Sequence, residues 1–520
     1  MNKNIKIFDS TLRDGAQGEG ISFSVSDKLK IVKALDNLGV TYIEAGNPGS
    51  NIKDLEFFEK LKSIKLETSK IVAFGSTRRK NISTQEDTNI TSLLEAETPT
   101  IAIFGKSWDF HVTDIIKTSL NENLKMINDT ITFFKEKGKE VIFDAEHFFD
   151  GYKSNPDYAL KALASAVDAG ADAIVLCDTN GGVFPQEIYE ITQKVCELFN
   201  VEVGIHCHND CGMAVANSIM GVKAGAVHVQ GTYIGFGERC GNANLSTIIP
   251  NLQLKMKLSC IPHKQVKNIT STARYISEIS NLKLINGMPY VGNGAFAHKG
   301  GMHVDGVAKA SHSFEHISPE IVGNKRRFLM SEVSGKSTVL PLIKKVDSTI
   351  SKNSPETQSI IDKLKELEHM GYQYEGAEAS FELVIRKLLN KYVSPFKIDS
   401  FKTIGEHSII GGNFTASSII KVIVDKKEEI TAEQGNGPVN ALNKSLKKAL
   451  EVFYPELKEV HLTDYKVRVL DAENATSAKV RVLIESTDGK KTWTTIGVST
   501  DIIEASLLAL KDSIEYKLMM

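Results

Sequence analysis

The chain has 520 residues, 42% hydrophobic and 24% charged, with a formal net charge of -2. That length calls for roughly two to four domains, and the composition is that of a soluble globular protein. The balanced charge, without a long basic run, excludes a nucleic-acid or anionic-membrane partner, and no apolar stretch approaches the ~18–20 residues of a membrane span. The six cysteines form no CxxC pair and none lies beyond Cys260, so no disulfide framework is expected and a reducing, cytoplasmic setting is. Apolar residues begin at Ile5, and no signal peptide is expected ahead of them.

Short β-branched apolar runs recur through the first half, at 5–9, 41–46, 71–76, 100–105, 140–146, 173–179, 201–209 and 226–232. Segments with helical spacing lie between them. Leu29, Ile31, Val32, Leu35 and Leu38 form one apolar face within 26–38, and Met126, Ile127, Ile131 and Phe134 form another within 124–134. Gly39, Gly138 and Gly170 sit where such helices end. Eight β–α alternations in about 260 residues predict an α/β fold, a (β/α)8 TIM barrel rather than an open doubly wound sheet.

Beyond about residue 265 the alternation stops. Residues 267–390 read as mostly helical, interrupted by the Gly- and His-rich stretch Val291–Gly306 and the polar linker 350–356. A different pattern begins near 405, with strand-like runs at 417–424, 465–470, 478–484 and 492–498 and helices at about 438–453 and 501–518. This is the signature of a small α+β domain, with turns at Gly411-Gly412 and Gly435-Asn436-Gly437-Pro438. No internal repeat is evident. The expected division is 1–266 (barrel), 267–400 (helical linker subdomain) and 401–520 (C-terminal domain).

Two motifs carry chemistry. The first strand runs directly into Arg13, Asp14 and Gln17, a cation, a carboxylate and an amide within five residues. The seventh ends in His206-Cys207-His208-Asn209-Asp210. Residues i and i+2 of a strand share a face, so both imidazoles aim at one spot while Cys207 points the other way. One Asp and two His make a divalent-metal set with open positions for substrate. Barrel active sites lie at the C-terminal rim of the strands. The predicted strands put Asp14, Glu44, Phe104, Glu146, Thr179 and the two histidines on that rim. Arg78-Arg79-Lys80 follows the third strand there, and the loop Gly235–Asn242 follows the eighth.

These segments resemble the family of metal-dependent acyl-CoA condensing and cleaving barrels, which contains isopropylmalate, homocitrate and citramalate synthases and hydroxymethylglutaryl-CoA lyase. The resemblance implies a divalent ion (Mn²⁺, Mg²⁺, Co²⁺ or Zn²⁺) on Asp14, His206 and His208, with Asn242 close to it. It implies that Arg13 stabilises charge on a 2-oxo acid's ketone oxygen, that Glu146 orients Arg13 or relays a proton, and that Thr179 binds the substrate carboxylate. Glu44 and Gln17 are expected to support these groups. Acetyl-CoA is the implied co-substrate; Arg78-Arg79-Lys80, by its place at the rim, is either a contact for its phosphates or a solvated basic turn. Phe104, with Phe148 and Phe149, is expected to crowd the pocket.

The stretch Gly292–Gly306 resembles the family's helical subdomain, which supplies a catalytic His to the partner subunit's barrel; His303 matches it, with His298 its neighbour. A tyrosine that some isopropylmalate synthases carry is absent from the matching stretch Val322–Phe328. The phrases Tyr42–Ser50, Ala145–Tyr152 and Phe74–Arg79 look most like the family's citramalate synthases. The implied reaction is a Claisen condensation of acetyl-CoA with pyruvate followed by thioester hydrolysis; condensation with 2-oxoisovalerate is the alternative. A lyase is disfavoured because lyases of this family stop soon after the barrel. Residues 401–520 resemble the family's regulatory domain, which implies a homodimer and feedback by isoleucine, or by leucine if the longer 2-oxo acid is used.

Overall fold

The computed structural model describes residues 4–49, 52–329, 336–406, 415–470, 477–489 and 491–520. Eight parallel strands close into one barrel in chain order: β1 (Lys6–Asp9), β2 (Tyr42–Gly46), β3 (Lys70–Ser76), β4 (Thr100–Lys106), β5 (Glu140–Glu146), β6 (Ala173–Asp178), β7 (Glu202–Cys207) and β8 (His228–Gly231). β8 pairs back onto β1, with Lys6 opposite His228, so the sheet has no free edge. Every strand is buried on both faces, which is why the sequence shows continuous apolar runs instead of alternation. One face of each strand points outward to the helices: Ile5, Ile7, Ile205 and Cys207 belong to that outer core. The other fills the barrel with Phe8, Tyr42, Val72, Ala102, Ile142 and Val175. The first helix, Val25–Leu38, begins at a Ser24–Asp27 capping box and ends at Gly39 in the left-handed conformation.

By contacts the chain divides into two compact units, Met1–Phe296 with Ile317–Arg326, and Ala297–His316 with Arg327–Met520. The second contains β9 (Ala297–His298) paired with β10 (Arg327–Phe328). Its helices Lys336–Val346, Pro355–His369 and Glu378–Leu388 pack around Val339, Ile343, Ile360, Leu364 and Phe381. Two three-stranded antiparallel sheets follow, β11 (Lys397–Glu406), β12 (Thr415–Val424) and β13 (Lys427–Gly435), then β14 (His461–Val469), β15 (Val480–Thr487) and β16 (Thr492–Ser499). Each sheet is followed by a helix, Pro438–Glu451 and Ile502–Met519.

Two readings of the sequence change here. The terminal domain is an internal repeat of three strands and a helix, and β11 and β13 are strands the sequence reading passed over. β13 reads Lys-Glu-Glu-Ile-Thr-Ala-Glu-Gln-Gly, charged because it lies at a sheet edge, where charge deters pairing with another chain. The predicted Gly411-Gly412 turn lies outside the described residues.

Inside the barrel His228 is fully buried against Phe8 and Tyr42, with ring centroids 5.3 and 5.6 Å away and neither nitrogen hydrogen-bonded to a described residue. Burial pushes the imidazole down to about 3 from the ordinary value near 6.5. The folded state therefore keeps it neutral where the unfolded chain binds a proton, so stability falls as pH drops from about 6.5 towards 3. His228→Leu is expected to flatten that acid dependence by up to ~3 kcal/mol at pH 4, read from urea unfolding of the barrel at pH 7 and pH 4. Equal acid sensitivity in both proteins counts against this account.

Candidate metal centre and active site

The loop after β1 is held by its own backbone N–H groups, which donate to neighbouring side chains and to one carbonyl. Thr11 N donates to Asp9 Oδ1 (2.9 Å), Gly15 N to Ser10 O (3.0 Å) and Asp14 N to Ser10 Oγ (3.3 Å), which fixes Arg13 and Asp14 over the barrel mouth. β7 brings His206 and His208 to the same point, their Nε2 atoms 3.8 and 3.7 Å from Asp14 Oδ2. Asp14, His206 and His208 thus each offer one ligand atom within 4.8 Å of the others, and all three are buried. Asn242 Nδ2 donates to Asp14 Oδ1 (2.7 Å). The approach requires Gly237, where a Cβ would stand 2.2 Å from the Asn242 amide nitrogen and φ is +155°.

Whether these residues fit a divalent ion is answered by what they leave unpaired. Asn242 Oδ1 is buried without a hydrogen-bond partner among the described residues, and the Nε2 atoms of both histidines face Asp14 from beyond hydrogen-bond distance. Burial alone would raise the Asp14 carboxyl, but Arg13, the two imidazoles and the Asn242 amide outweigh it and hold the group below the usual carboxylate range. Burial, and then His208, lowers the His206 imidazole to about 3, and burial lowers His208 as well. An anionic oxygen and two neutral imidazoles are the protonation states a metal requires of its ligands. The set fits.

Arg13 lies at the edge of this centre. Its Nη1 donates to Asp14 Oδ2 and its Nε to Glu44 Oε2, both at 2.8 Å, and its guanidinium carbon is 3.9 Å from the centroid of the Phe74 ring. Ser10 Oγ also donates to Glu44 Oε2. Burial pushes Glu44 up, against the pull of Arg13 and Ser10. Glu44 therefore does for Arg13 what the sequence reading offered to Glu146. Glu146 takes the Lys106 ammonium instead, because the two are register partners on β5 and β4.

A cavity of about 570 Å³ opens over these groups, lined among others by Arg13, Asp14, Gln17, Phe104, Glu146, Thr179 and His206. Gln17 is exposed at the end of a 3-10 turn, Gly15–Gln17. Thr179 Oγ1 accepts the His147 N–H (2.8 Å), which leaves the hydroxyl proton free to donate. The aromatic wall is Phe104 stacked on Phe74, centroids 5.2 Å apart. Phe148 and Phe149 are fully buried in the outer core and take no part in it. Arg78 is committed elsewhere, to Glu122 (2.9 Å) and Asp129 (2.8 Å), so the basic turn offers only Arg79 and Lys80 at the surface. Arg239 of the loop after β8 is tied to Asp210 and to the Thr179 carbonyl. His303, in the second unit, is exposed and stacked on Phe314 at 4.2 Å; its neighbour His298 is buried against Glu315 (3.1 Å).

The sequence reading missed Phe74, Lys106, Asp144 and Gln230. Gln230 lies 3.0 Å from His206 Nδ1 and 2.9 Å from Asp144, a carboxyl that burial, and then Glu44, pushes up to about 7. Only strand alternation pointed to Asp144, which shares the inward face of β5 with Glu146.

Residues 4–276 match the HMGL-like family, 290–371 the homocitrate synthase post-HMGL domain-like family and 375–518 the LeuA allosteric (dimerisation) domain. The chain belongs to the HMGL-like family, barrel enzymes that use a divalent metal, and carries that allosteric domain at its C-terminal end. Within the family it groups with the (R)-citramalate synthases. It is 53% identical over 520 residues to that of Aquifex aeolicus, covering 100% of this chain and 98% of the relative. To that of Geobacter sulfurreducens it is 50% identical over 514 residues, covering 99% and 97%. A probable 2-isopropylmalate synthase of Methanopyrus kandleri is 30% identical over 511 residues, covering 98% and 97%.

His206→Ala and His208→Ala, each removing a ligand without disturbing the outer core, are expected to lose bound divalent metal after dialysis against Mn²⁺ or Zn²⁺. Elemental analysis checks this, and equal metal in the unchanged and variant proteins would remove the assignment.

Proposed function

We propose that this chain condenses acetyl-CoA with pyruvate and hydrolyses the resulting thioester, giving citramalate and CoA. The observation that carries the reading is the fixed Arg13 guanidinium, held by Glu44, Asp14 and Phe74 beside a buried Asp-His-His set. A divalent ion on Asp14, His206 and His208 (Mn²⁺, Mg²⁺, Co²⁺ or Zn²⁺) supplies Lewis acidity towards the 2-oxo acid's carbonyl. Arg13 presents a permanent charge to the ketone oxygen, where negative charge grows as the acetyl carbon adds. The Thr179 hydroxyl donates to the substrate carboxylate. Glu146, positioned by Lys106, faces the same cavity and relays a proton during enolisation of the acetyl group. Phe104 and Phe74 bound the space for the 2-oxo acid's side chain. Gln17 supports these groups from the cavity wall, and Asn242, on Asp14, stands close to the ion.

We assign 1–266 to the barrel chemistry, 267–400 to delivery of His303 to the barrel of the partner subunit in a homodimer, and 401–520 to regulation. The reaction is placed in the cytoplasm, in isoleucine synthesis, with isoleucine as the feedback effector; leucine takes that place if the longer substrate is used. The Gly435–Pro438 turn opens the helix Pro438–Glu451, whose N-terminal N–H groups suit an amino acid's carboxylate.

Three measurements test this reading. In a thiol-release assay kcat/KM for pyruvate is expected to exceed that for 2-oxoisovalerate by ~10-fold or more, since an isopropyl group overpacks against Phe104 by ~1–3 kcal/mol. The reverse order assigns the chain to isopropylmalate formation. Mixed Arg13→Ala and His303→Ala chains are expected to regain activity, because a heterodimer holds one site with both groups intact; no recovery after verified subunit exchange would mean that His303 does not serve the partner. Removing residues 401–520 is expected to abolish inhibition by isoleucine, and unaltered inhibition of the shortened chain would place the effector elsewhere.

A further inference from the structure

Behind His206 a second pair of side chains crosses the barrel interior. Gln230 on β8 lies beside His206, its register partner on β7, with Oε1 3.0 Å from the His206 Nδ1 atom. Its Nε2 donates to Asp144 Oδ1 on β5 (2.9 Å). Gln230 is fully buried and Asp144 is 4% exposed, so neither exchanges its partner for solvent.

We infer that Asp144 and Gln230 are positioning residues that lock His206 as the tautomer protonated at Nδ1, with the lone pair of Nε2 turned to Asp14. The inference rests on the metal reading of Asp14, His206 and His208. A primary amide has one donor end and one acceptor end. The Asp144 oxygen takes the donor end, so the carbonyl must face His206, and a carbonyl accepts only from an N–H. Nδ1 therefore carries the hydrogen and Nε2 does not. Without this constraint the nearby Asp14 carboxylate would draw a hydrogen onto Nε2, and a hydrogen bond would replace a ligand. His208 has no such backing, since its Nδ1 is buried and unpartnered among the described residues. The two histidines, alike in sequence, are thus unequal: His206 is preset and His208 is not. Groups of this kind behind a metal-bound imidazole are worth about 10–100-fold in metal affinity.

The test titrates the metal-free protein with Co²⁺ alone and reads its visible absorption. Gln230→Leu is expected to weaken Co²⁺ binding by about 10–100-fold. Gln230→Glu alone sets two buried carboxylates against each other and is expected to bind weakly. Combining Gln230→Glu with Asp144→Asn reverses the donor and acceptor at that contact yet keeps an acceptor facing His206, and is expected to recover most of the affinity and the absorption. Unchanged affinity in a folded Gln230→Leu protein, or a double exchange that binds no better than Gln230→Glu, overturns the inference. His206→Ala separates the two levels. If it binds Co²⁺ like the unchanged protein, the metal reading fails; if it loses Co²⁺ and Gln230→Leu does not, only the positioning role fails.

Discussion

The Arg13 guanidinium, packed on the Phe74 ring between Asp14 and Glu44, is the contact on which the rest of the site depends. Three carboxyl groups, Asp14, Glu44 and Asp144, are buried within one barrel mouth; burial pushes Glu44 and Asp144 towards their neutral forms, and the permanent cation among them favours the charged form of each. An arginine suits the position because its planar group donates along two edges while its face rests on an aromatic ring. A lysine could satisfy either carboxylate but not hold this orientation. The same cation keeps Asp14 anionic as a ligand and presents charge to the cavity, so positioning and chemistry come from one side chain.

The barrel supplies what that arrangement needs. Closure removes sheet edges and buries both faces of every strand, and the polar residues are gathered at the rim and just inside it. The loops at that rim are tied to one another: Arg239 joins the loops after β6, β7 and β8, and His147 N–H joins the end of β5 to Thr179. Such cross-loop bonds hold reacting groups in place before substrate arrives, which is where much of an enzyme's electrostatic advantage originates. The second unit is built on another principle. Its repeated sheets expose long edge strands, charged on β13 and lined by exposed Tyr465, Val467 and Val469 on β14. This is consistent with an assembly and allosteric domain, where coupling energies are typically ~1–3 kcal/mol.

The sequence by itself determined the barrel. Strand and helix periods, glycine caps and the count of alternations are local properties, and all eight strands lie within a few residues of their expected positions. It also determined that Asp14, His206 and His208 meet, because barrel topology sends every strand's C-terminal end to one rim and an i, i+2 spacing fixes a shared face. What only the tertiary structure decided was pairing. Arg13 with Glu44, Lys106 with Glu146 and Asp144 with Gln230 join residues 31 to 86 positions apart on different strands or the loops that follow them, and nothing local tells one rim carboxylate from another. For that reason Glu146 looked like the partner of Arg13 and Phe148 like a wall of the cavity. The terminal repeat was equally hidden, since its two halves share a fold without sharing a sequence pattern, and edge strand β13 carries charge where an apolar run would have marked it.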